Sequence, residues 1–391
     1  MHARRESEDR MNYENEIKSC TEHFERLLRE QIARARKMED NAGAVDFAFK
    51  DKVVIGCAGG DGIGPRIVEG ARKILGVLLR EQIDAGSIEL RDIEGLTIEN
   101  RLEKGEPVPQ DVLSAIKECD VLLKGPTTTP KGGTMESANV ALRRELDLFA
   151  NVRPVSVPEQ GIDWTFFREN TEGEYVLGSK GVEIENTLYF DFKVTTVPGT
   201  ERIARAAFDF ARKNGKKNVA IVTKANIMKK TDANFSRIAH EVALDYPEIT
   251  CEDWYIDIMT ANLVNESIRS RFEVFLLPNL YGDIITDEAA QIQGGVGTAG
   301  SANTGDRYAM FEAIHGTAPR MIEEGLGEYA NPESILRAAV MLLNHIGRKE
   351  AADRLVRAMD SLQNSGKCRV TGTRDGAKCT EYIDALSALL A

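Results

Sequence analysis

Residues 53–75, VVIGCAGGDGIGPRIVEGARKIL, carry a β-branched run into a glycine cluster and out into an amphipathic helix. Loops that cradle a phosphate at a helix N-terminus share that outline. A dinucleotide fingerprint requires G-x-G-x-x-G, whereas Gly60-Asp61-Gly62-Ile63-Gly64 supplies G-x-G-x-G. Pro65 then stands where the first turn of a helix tolerates it. No acidic residue that would bind a ribose follows at the expected distance after a clean second strand. The stretch predicts a tight strand-to-helix turn and by itself assigns no phosphate to it.

Outward from this turn, strand-like runs recur at Val53–Cys57, Val121–Lys124, Val219–Thr223 and Val274–Pro278. Helix-like segments lie between them, among them Arg66–Leu79, Ile203–Lys213 and Ile335–Ile346. The alternation predicts an α/β fold on a largely parallel sheet. A chain of 391 residues is expected to form two lobes. With no low-complexity linker in the sequence, the crossings between lobes are expected near residues 150–155 and 285–300. Residues 1–50 differ from the rest. MNYENEIKSCTEHFERLLREQIARARKMED is charged and helically periodic, without Gly or Pro, and predicts an exposed helix or helical hairpin ending near Asn41-Ala42-Gly43.

Composition narrows the function. With 42% hydrophobic and 29% charged residues, the chain reads as a soluble globular protein. No apolar run is long enough for a membrane span, and no secretory or transit segment is evident at the N-terminus. A net charge of -12 argues against general nucleic-acid binding. The six cysteines are scattered without a CxxC pair, which fits reduced thiols in a cytoplasm better than zinc or disulfides.

Several residue sets suggest chemistry. Arg143, Arg153 and Arg168 are gathered in an acidic chain, and guanidinium forks suit a polycarboxylate. Any one of them alone reads equally well as a surface charge. Asp283 and Asp287, one helical turn apart in YGDIITD, suit Mg²⁺ or Mn²⁺, although solvated helix faces produce the same spacing. Ser137 and Asn139 head the segment SANVALR, where helix capping is the simple alternative.

GGDGIGP, LLKGPTTTP, ESANVALRRELDLFANVRP, FRENTEGEY, TKANIMKKTD, NLYGDIITDEAA and FEAIHGTAP occur in this order. Together they resemble the β-decarboxylating dehydrogenase family of isocitrate and isopropylmalate dehydrogenases, over roughly residues 51–391. The resemblance implies a two-lobed fold that is not a Rossmann fold, with GGDGIG a structural turn beside the coenzyme pocket. It implies a large coenzyme-binding domain from residues 51–150 plus 286–391. A small domain of residues 151–285 would carry the dimer interface and clasp, and residues 1–50 a helical extension.

The same resemblance implies the site. Arg143, Arg153 and Arg168 would hold the α- and β-carboxylates of a 2-hydroxy acid. Ser137 and Asn139 would bind a γ-carboxylate, which favours isocitrate over homoisocitrate or 3-isopropylmalate. Asp257, Asp283 and Asp287 would hold the metal, with Asp257 from the other subunit. Tyr175 and Lys224 would be the acid and base, Lys224 again from the other subunit. Burial near other cations would lower the Lys224 pKa toward working pH. Thr128, His315, Gly316, Thr317 and Asn331 would bind the coenzyme.

In the loop after HGTAP, Arg320 suits a 2′-phosphate, but Glu323 and Glu324 follow and Gly372 stands where NADP enzymes carry Tyr. NAD is therefore favoured, with NADP the alternative. The expectation is an isocitrate dehydrogenase acting as a homodimer or higher homo-oligomer. A non-catalytic subunit of a hetero-oligomer is the rival, against which the intact Tyr175, Lys224 and aspartates argue.

Overall fold

The computed structural model describes residues 2–39, 45–130, 135–178, 180–184, 187–295 and 299–391. The strands are β1 (Val53–Ala58), β2 (Ile88–Ile93), β3 (Val121–Lys124), β4 (Ala150–Val157), β5 (Ile162–Glu169) and β6 (Val182–Ile184). They continue with β7 (Leu188–Phe190), β8 (Asn218–Thr223), β9 (Thr250–Tyr255), β10 (Val274–Leu277), β11 (Gly300–Thr304) and β12 (Ala309–Ala313). Ten of them form one sheet in the order β2-β1-β3-β12-β11-β4-β5-β10-β8-β9, and β6 pairs with β7 in a separate hairpin. The short apolar runs that read as strands from sequence are β1, β3, β8 and β10. Every residue of β3 and of β10 is buried, as expected for strands covered on both faces.

The sheet is less parallel than the alternation predicts. β2-β1-β3-β12 form one parallel block and β5-β10-β8-β9 another. Three antiparallel pairings, β12 with β11, β11 with β4 and β4 with β5, join the blocks, so these run in opposite directions. The joining strands are rich in polar residues and Pro, ANVRPVSV and GSANT, and carry no run of apolar residues that would have announced them.

The packing follows the helical periodicity. In the Gly64–Leu78 helix, Ile67, Val68, Ala71, Ile74, Leu75 and Leu78 are buried at helical spacing. They share one apolar cluster with Ile335, Leu336, Ala339, Leu342 and Leu343 of the Glu333–His345 helix. On the other block, Ile203, Ala207 and Phe208 pack on Val219, Ile221, Val274 and Leu276. The expected helices begin two to six residues earlier than their periodic runs, since Gly64-Pro65, Val197-Pro198 and Glu333 supply the first turns.

The N-terminal segment is one helix, His2–Glu39, rather than a hairpin. It is also docked rather than solvated. Leu27 is buried, and Phe24 stacks on Phe192 with ring centroids 5.1 Å apart. The expected end of this helix at residues 41–43 lies outside the described residues. No helix among the described residues is long and apolar enough to cross a membrane.

Candidate active site

The glycine loop is consumed by the protein itself. Asp61 N–H donates to the Pro126 carbonyl at 2.8 Å and Ile63 N–H to the Thr317 carbonyl at 3.2 Å. Gly60 and Gly62 adopt φ of 70° and 59°, and a Cβ on either would overlap the carbonyl oxygen of Pro126 or Thr317. These glycines are needed because KGPTTTP and HGTAP approach the loop backbone to backbone. Asp61 extends the lock, accepting from the Ile98 and Thr128 N–H groups, each at 2.7 Å. The buried Arg101 holds the other side of Thr128, donating to its carbonyl at 2.8 Å.

Beside this loop a row of polar side chains crosses five neighbouring strands. In register, Lys124 on β3 faces Glu312 on β12, Glu312 faces Ser301 on β11, Asn303 faces Asn151 on β4, and Asn151 faces Arg168 on β5. Because alternate strand residues share a face, Arg153 stands on the same face as Asn151 and Arg168. The row is bonded along its length. Lys124 donates to Glu312 at 3.2 Å, Asn303 to Glu312 at 2.8 Å, and Asn151 to Asn303 at 2.9 Å. Burial would push the Glu312 carboxyl up, but the Lys124 and Arg143 charges overrule it and bring it to about 2.

The Asn279–Gln293 helix supplies the opposite wall. Gly282 lets it approach, since a Cβ there would lie 2.6 Å from Arg168 Cγ. Arg168 Nε and a terminal nitrogen donate to Asn279 Oδ1 at 2.9 and 2.7 Å, and its other terminal nitrogen pairs with Asp283. Arg153 donates to Thr286 Oγ1 at 2.6 Å and to Asp287 Oδ1 at 2.9 Å. Tyr175 donates to Asp283 Oδ2 at 2.6 Å.

Arg153, Arg168, Tyr175, Asp283 and Asp287 line one cavity of about 350 Å³, together with Ser137, Asn139, Arg143, Glu312, His315 and Gly316. Arg143 Nε and Arg153 Nε are buried there with no acceptor among the described residues, as suits groups that await an anion. Burial, then the charge of Arg143, lowers Arg168 to about 10. Burial and then the bond to Asp283 push Tyr175 up to about 12, so its phenol keeps its proton. Burial opposes ionisation of Asp283, but Arg168 and the Tyr175 hydroxyl prevail and hold it below the usual carboxylate range.

Ser137 precedes the Ala138–Glu145 helix and makes no capping bond with its side chain. Asn139 Oδ1 accepts from Thr127 Oγ1 at 3.2 Å. On the coenzyme side, Thr128 Oγ1 lies 3.5 Å from Thr317 Oγ1. His315 Nδ1 contacts the Gly316 carbonyl at 3.0 Å, while Nε2 is buried without a partner among the described residues. Asn331 Oδ1 accepts from the Glu333 N–H at 2.9 Å. Arg320 is highly exposed and pairs with Glu324 at 2.7 Å.

Lys224 and Asp257 stand apart from the other residues expected to act on substrate and metal. Lys224 Nζ pairs with Asp257 Oδ1 at 2.6 Å, and neither lines the cavity of this chain. Within this chain the partner of Lys224 is thus a carboxylate. Among the described residues no cluster of three His, Cys, Asp or Glu side chains is placed to hold a metal. Of the three expected aspartates, Asp283 and Asp287 line the cavity, and this donor pair suits a hard divalent cation that keeps water or substrate oxygens as its other ligands.

Sequence reasoning passed over Lys124, Glu312, Asn279, Asp61 and Arg101. Lys124 and Glu312 were detectable in principle as charges inside the apolar runs VLLK and AMFEA. Asn279 carries no such mark.

Comparison with known proteins identifies the family. The profile of the isocitrate/isopropylmalate dehydrogenase family matches residues 54–386. The chain is 40% identical over 302 residues to the isocitrate dehydrogenase [NADP] of Rickettsia prowazekii (strain Madrid E), covering 75% of this chain and 59% of that protein. It therefore spans about three fifths of that relative's length. It is 36% identical over 341 residues to the probable mitochondrial isocitrate dehydrogenase [NAD] subunit alpha of Drosophila melanogaster, covering 85% of this chain and 86% of that one. The crystal structure of isocitrate dehydrogenase from Methylococcus capsulatus superposes with a TM-score of 0.76 at 33% identity, over 86% of this chain and 99% of the other. The chain belongs to the isocitrate/isopropylmalate dehydrogenase family.

Proposed function

We propose that the protein oxidatively decarboxylates isocitrate to 2-oxoglutarate, with a nicotinamide coenzyme as hydride acceptor and Mg²⁺ or Mn²⁺ bound. The observation that carries the choice of isocitrate is that Ser137 and Asn139 line the cavity of the three arginines. Arg143, Arg153 and Arg168 suit two carboxylates, and the hydroxyl and amide offer hydrogen bonds to a third. An isopropyl group in that position would offer neither side chain a hydrogen-bonding partner, leaving Asn139 only its bond from Thr127.

Asp283 and Asp287 would hold the divalent cation, with Asp257 of the partner subunit as a third ligand. When bound, the cation supplies a Lewis acid for the substrate oxygens. Tyr175, which keeps its proton, is suited to return one to the carbon that loses its carboxylate. Lys224 of the partner subunit removes the hydroxyl proton. The pairing of Lys224 with Asp257 away from this chain's cavity supports their acting together at a neighbour's site, and hence a homodimer.

In this reading residues 51–150 plus 286–391 form the coenzyme domain and residues 151–285 the smaller one, with 1–50 as an extension, and the enzyme is cytoplasmic. Thr128, His315, Gly316, Thr317 and Asn331 would hold the coenzyme. NAD is favoured, because Glu324 already offsets the charge of Arg320. NADP is the alternative, on the printed names of the Rickettsia relatives.

The test of substrate choice is a Ser137→Leu, Asn139→Leu double variant. Isocitrate turnover should fall far more than turnover of 3-isopropylmalate, each unpaired group costing about 1–3 kcal/mol. Equal losses on both acids would reduce these residues to helix-start packing.

A further inference from the structure

The N-terminal helix lies outside every motif used above, yet its last turns reach the turn that carries Tyr175. Arg34 donates to Glu172 Oε1 at 2.8 Å, with a longer contact of 3.5 Å to the Thr171 carbonyl. The Glu172 side chain is 3% exposed, and Arg34 is its one ion-pair partner among the described residues. Thr196 supplies its remaining donors, the hydroxyl at 2.5 Å and the backbone N–H at 2.8 Å.

From Glu172 the contacts run in two directions. Its backbone carbonyl accepts from Asn279 Nδ2 at 3.0 Å, and Asn279 Oδ1 is the acceptor that holds Arg168. The next residue, Gly173, is fixed by reciprocal backbone bonds with Val194 at 2.8 and 3.0 Å, two residues before Tyr175. A single side chain of the extension is thereby linked, through one residue, to a substrate-facing arginine and to the loop of the proton-bearing phenol.

We propose that Arg34 is a positioning residue for this site, acting through Glu172 on Tyr175 and Arg168. Without the guanidinium, the buried carboxylate loses its one ion-pair partner among the described residues and must move toward water or draw other donors toward it. Either response shifts the Glu172–Gly173 backbone, and with it the acceptor side of Arg168. The kinetic readout rests on the isocitrate activity proposed above; the structural readout does not.

The test compares full-length wild type with Arg34→Ala, Arg34→Lys and Arg29→Ala, the last removing an exposed pair confined to the same helix. Amide hydrogen exchange is followed in peptides covering residues 171–175 and 279–283, alongside kinetics with isocitrate. In Arg34→Ala, exchange in both peptides should rise and kcat/KM for isocitrate should fall, each about tenfold or more. The KM for coenzyme should stay within about twofold. Arg34→Lys should recover most of both losses, and Arg29→Ala should match wild type. The proposal is overturned if Arg34→Ala exchanges and turns over like wild type, if Arg34→Lys is as impaired as Arg34→Ala, or if the coenzyme KM rises as much as the isocitrate KM. A wild type inactive on isocitrate would refute the substrate reading, while the exchange contrast would still decide the role of Arg34.

Discussion

Tyr175 Oη stands 2.6 Å from Asp283 Oδ2, and the other oxygen of the same carboxylate is paired with Arg168. One aspartate thus holds both the phenol and the arginine, whose guanidinium carbon lies 5.3 Å from the centre of the Tyr175 ring. Removing the hydroxyl leaves the Asp283–Arg168 pair in place. Tyr175→Phe should therefore fold normally and keep its KM for isocitrate within about threefold, while kcat falls about 10²–10⁴-fold. Because the phenol is pushed up to about 12, the variant's pH profile should keep the wild-type shape up to about pH 10. A kcat within twofold of wild type would remove Tyr175 from the chemistry.

Gly62→Ala tests the reading of the glycine loop. The new Cβ would sit at a φ of 59° and overlap the Thr317 carbonyl. A stability loss of about 1–3 kcal/mol is expected, with a raised coenzyme KM because HGTAP must shift. A loop that served mainly as a phosphate cradle would instead show the coenzyme defect with unchanged thermal stability.

Glu169 gives a pH signature. Burial, then the charge of Glu172, raises its carboxyl from 4.5 to about 7. With the folded value above the unfolded one, its contribution to stability is fully present below about pH 4.5 and is lost as pH rises through 7. Glu169→Gln removes that loss. Whatever constant offset the amide introduces, the stability of the variant relative to wild type should rise between pH 4.5 and 7, by about 1–3 kcal/mol. Parallel stability curves for the two proteins across this range would contradict it.

The pairing of Arg320 with Glu324 bears on coenzyme choice. Glu324→Ala frees the guanidinium and should lower the KM for NADP about threefold to tenfold, since an exposed pair is worth about 0.2–1 kcal/mol and the freed charge gains a phosphate partner. The wild-type ratio of kcat/KM should favour NAD. A tenfold or greater preference for NADP would make Arg320 the specificity residue.

Much of the site was legible because its residues break local rules. Arg168 is a charge in an apolar strand, and Asp283 follows a buried strand at the start of a helix. Their convergence was not legible, since it depends on the antiparallel joining strands β4 and β11, whose polar sequences resemble loops. Asn279 and Asp61 act through backbone and side-chain bonds to residues about a hundred and about forty to seventy positions away, and no spacing rule reports such contacts. The N-terminal helix was visible as periodicity. Its docking was not, because Arg34 is one of many arginines in that segment and its partner lies 138 residues away.

Substrate choice decides the proposed activity. It is tested most directly by steady-state kinetics of the wild-type chain with isocitrate, homoisocitrate and 3-isopropylmalate, each with NAD and NADP in the presence of Mg²⁺ or Mn²⁺. Isocitrate should give the highest kcat/KM, by about a hundredfold over 3-isopropylmalate, as the loss of the ligand's hydrogen bonds to two polar side chains would require. Turnover of 3-isopropylmalate or homoisocitrate equal to or above that of isocitrate, or no turnover of isocitrate with either coenzyme, would contradict it.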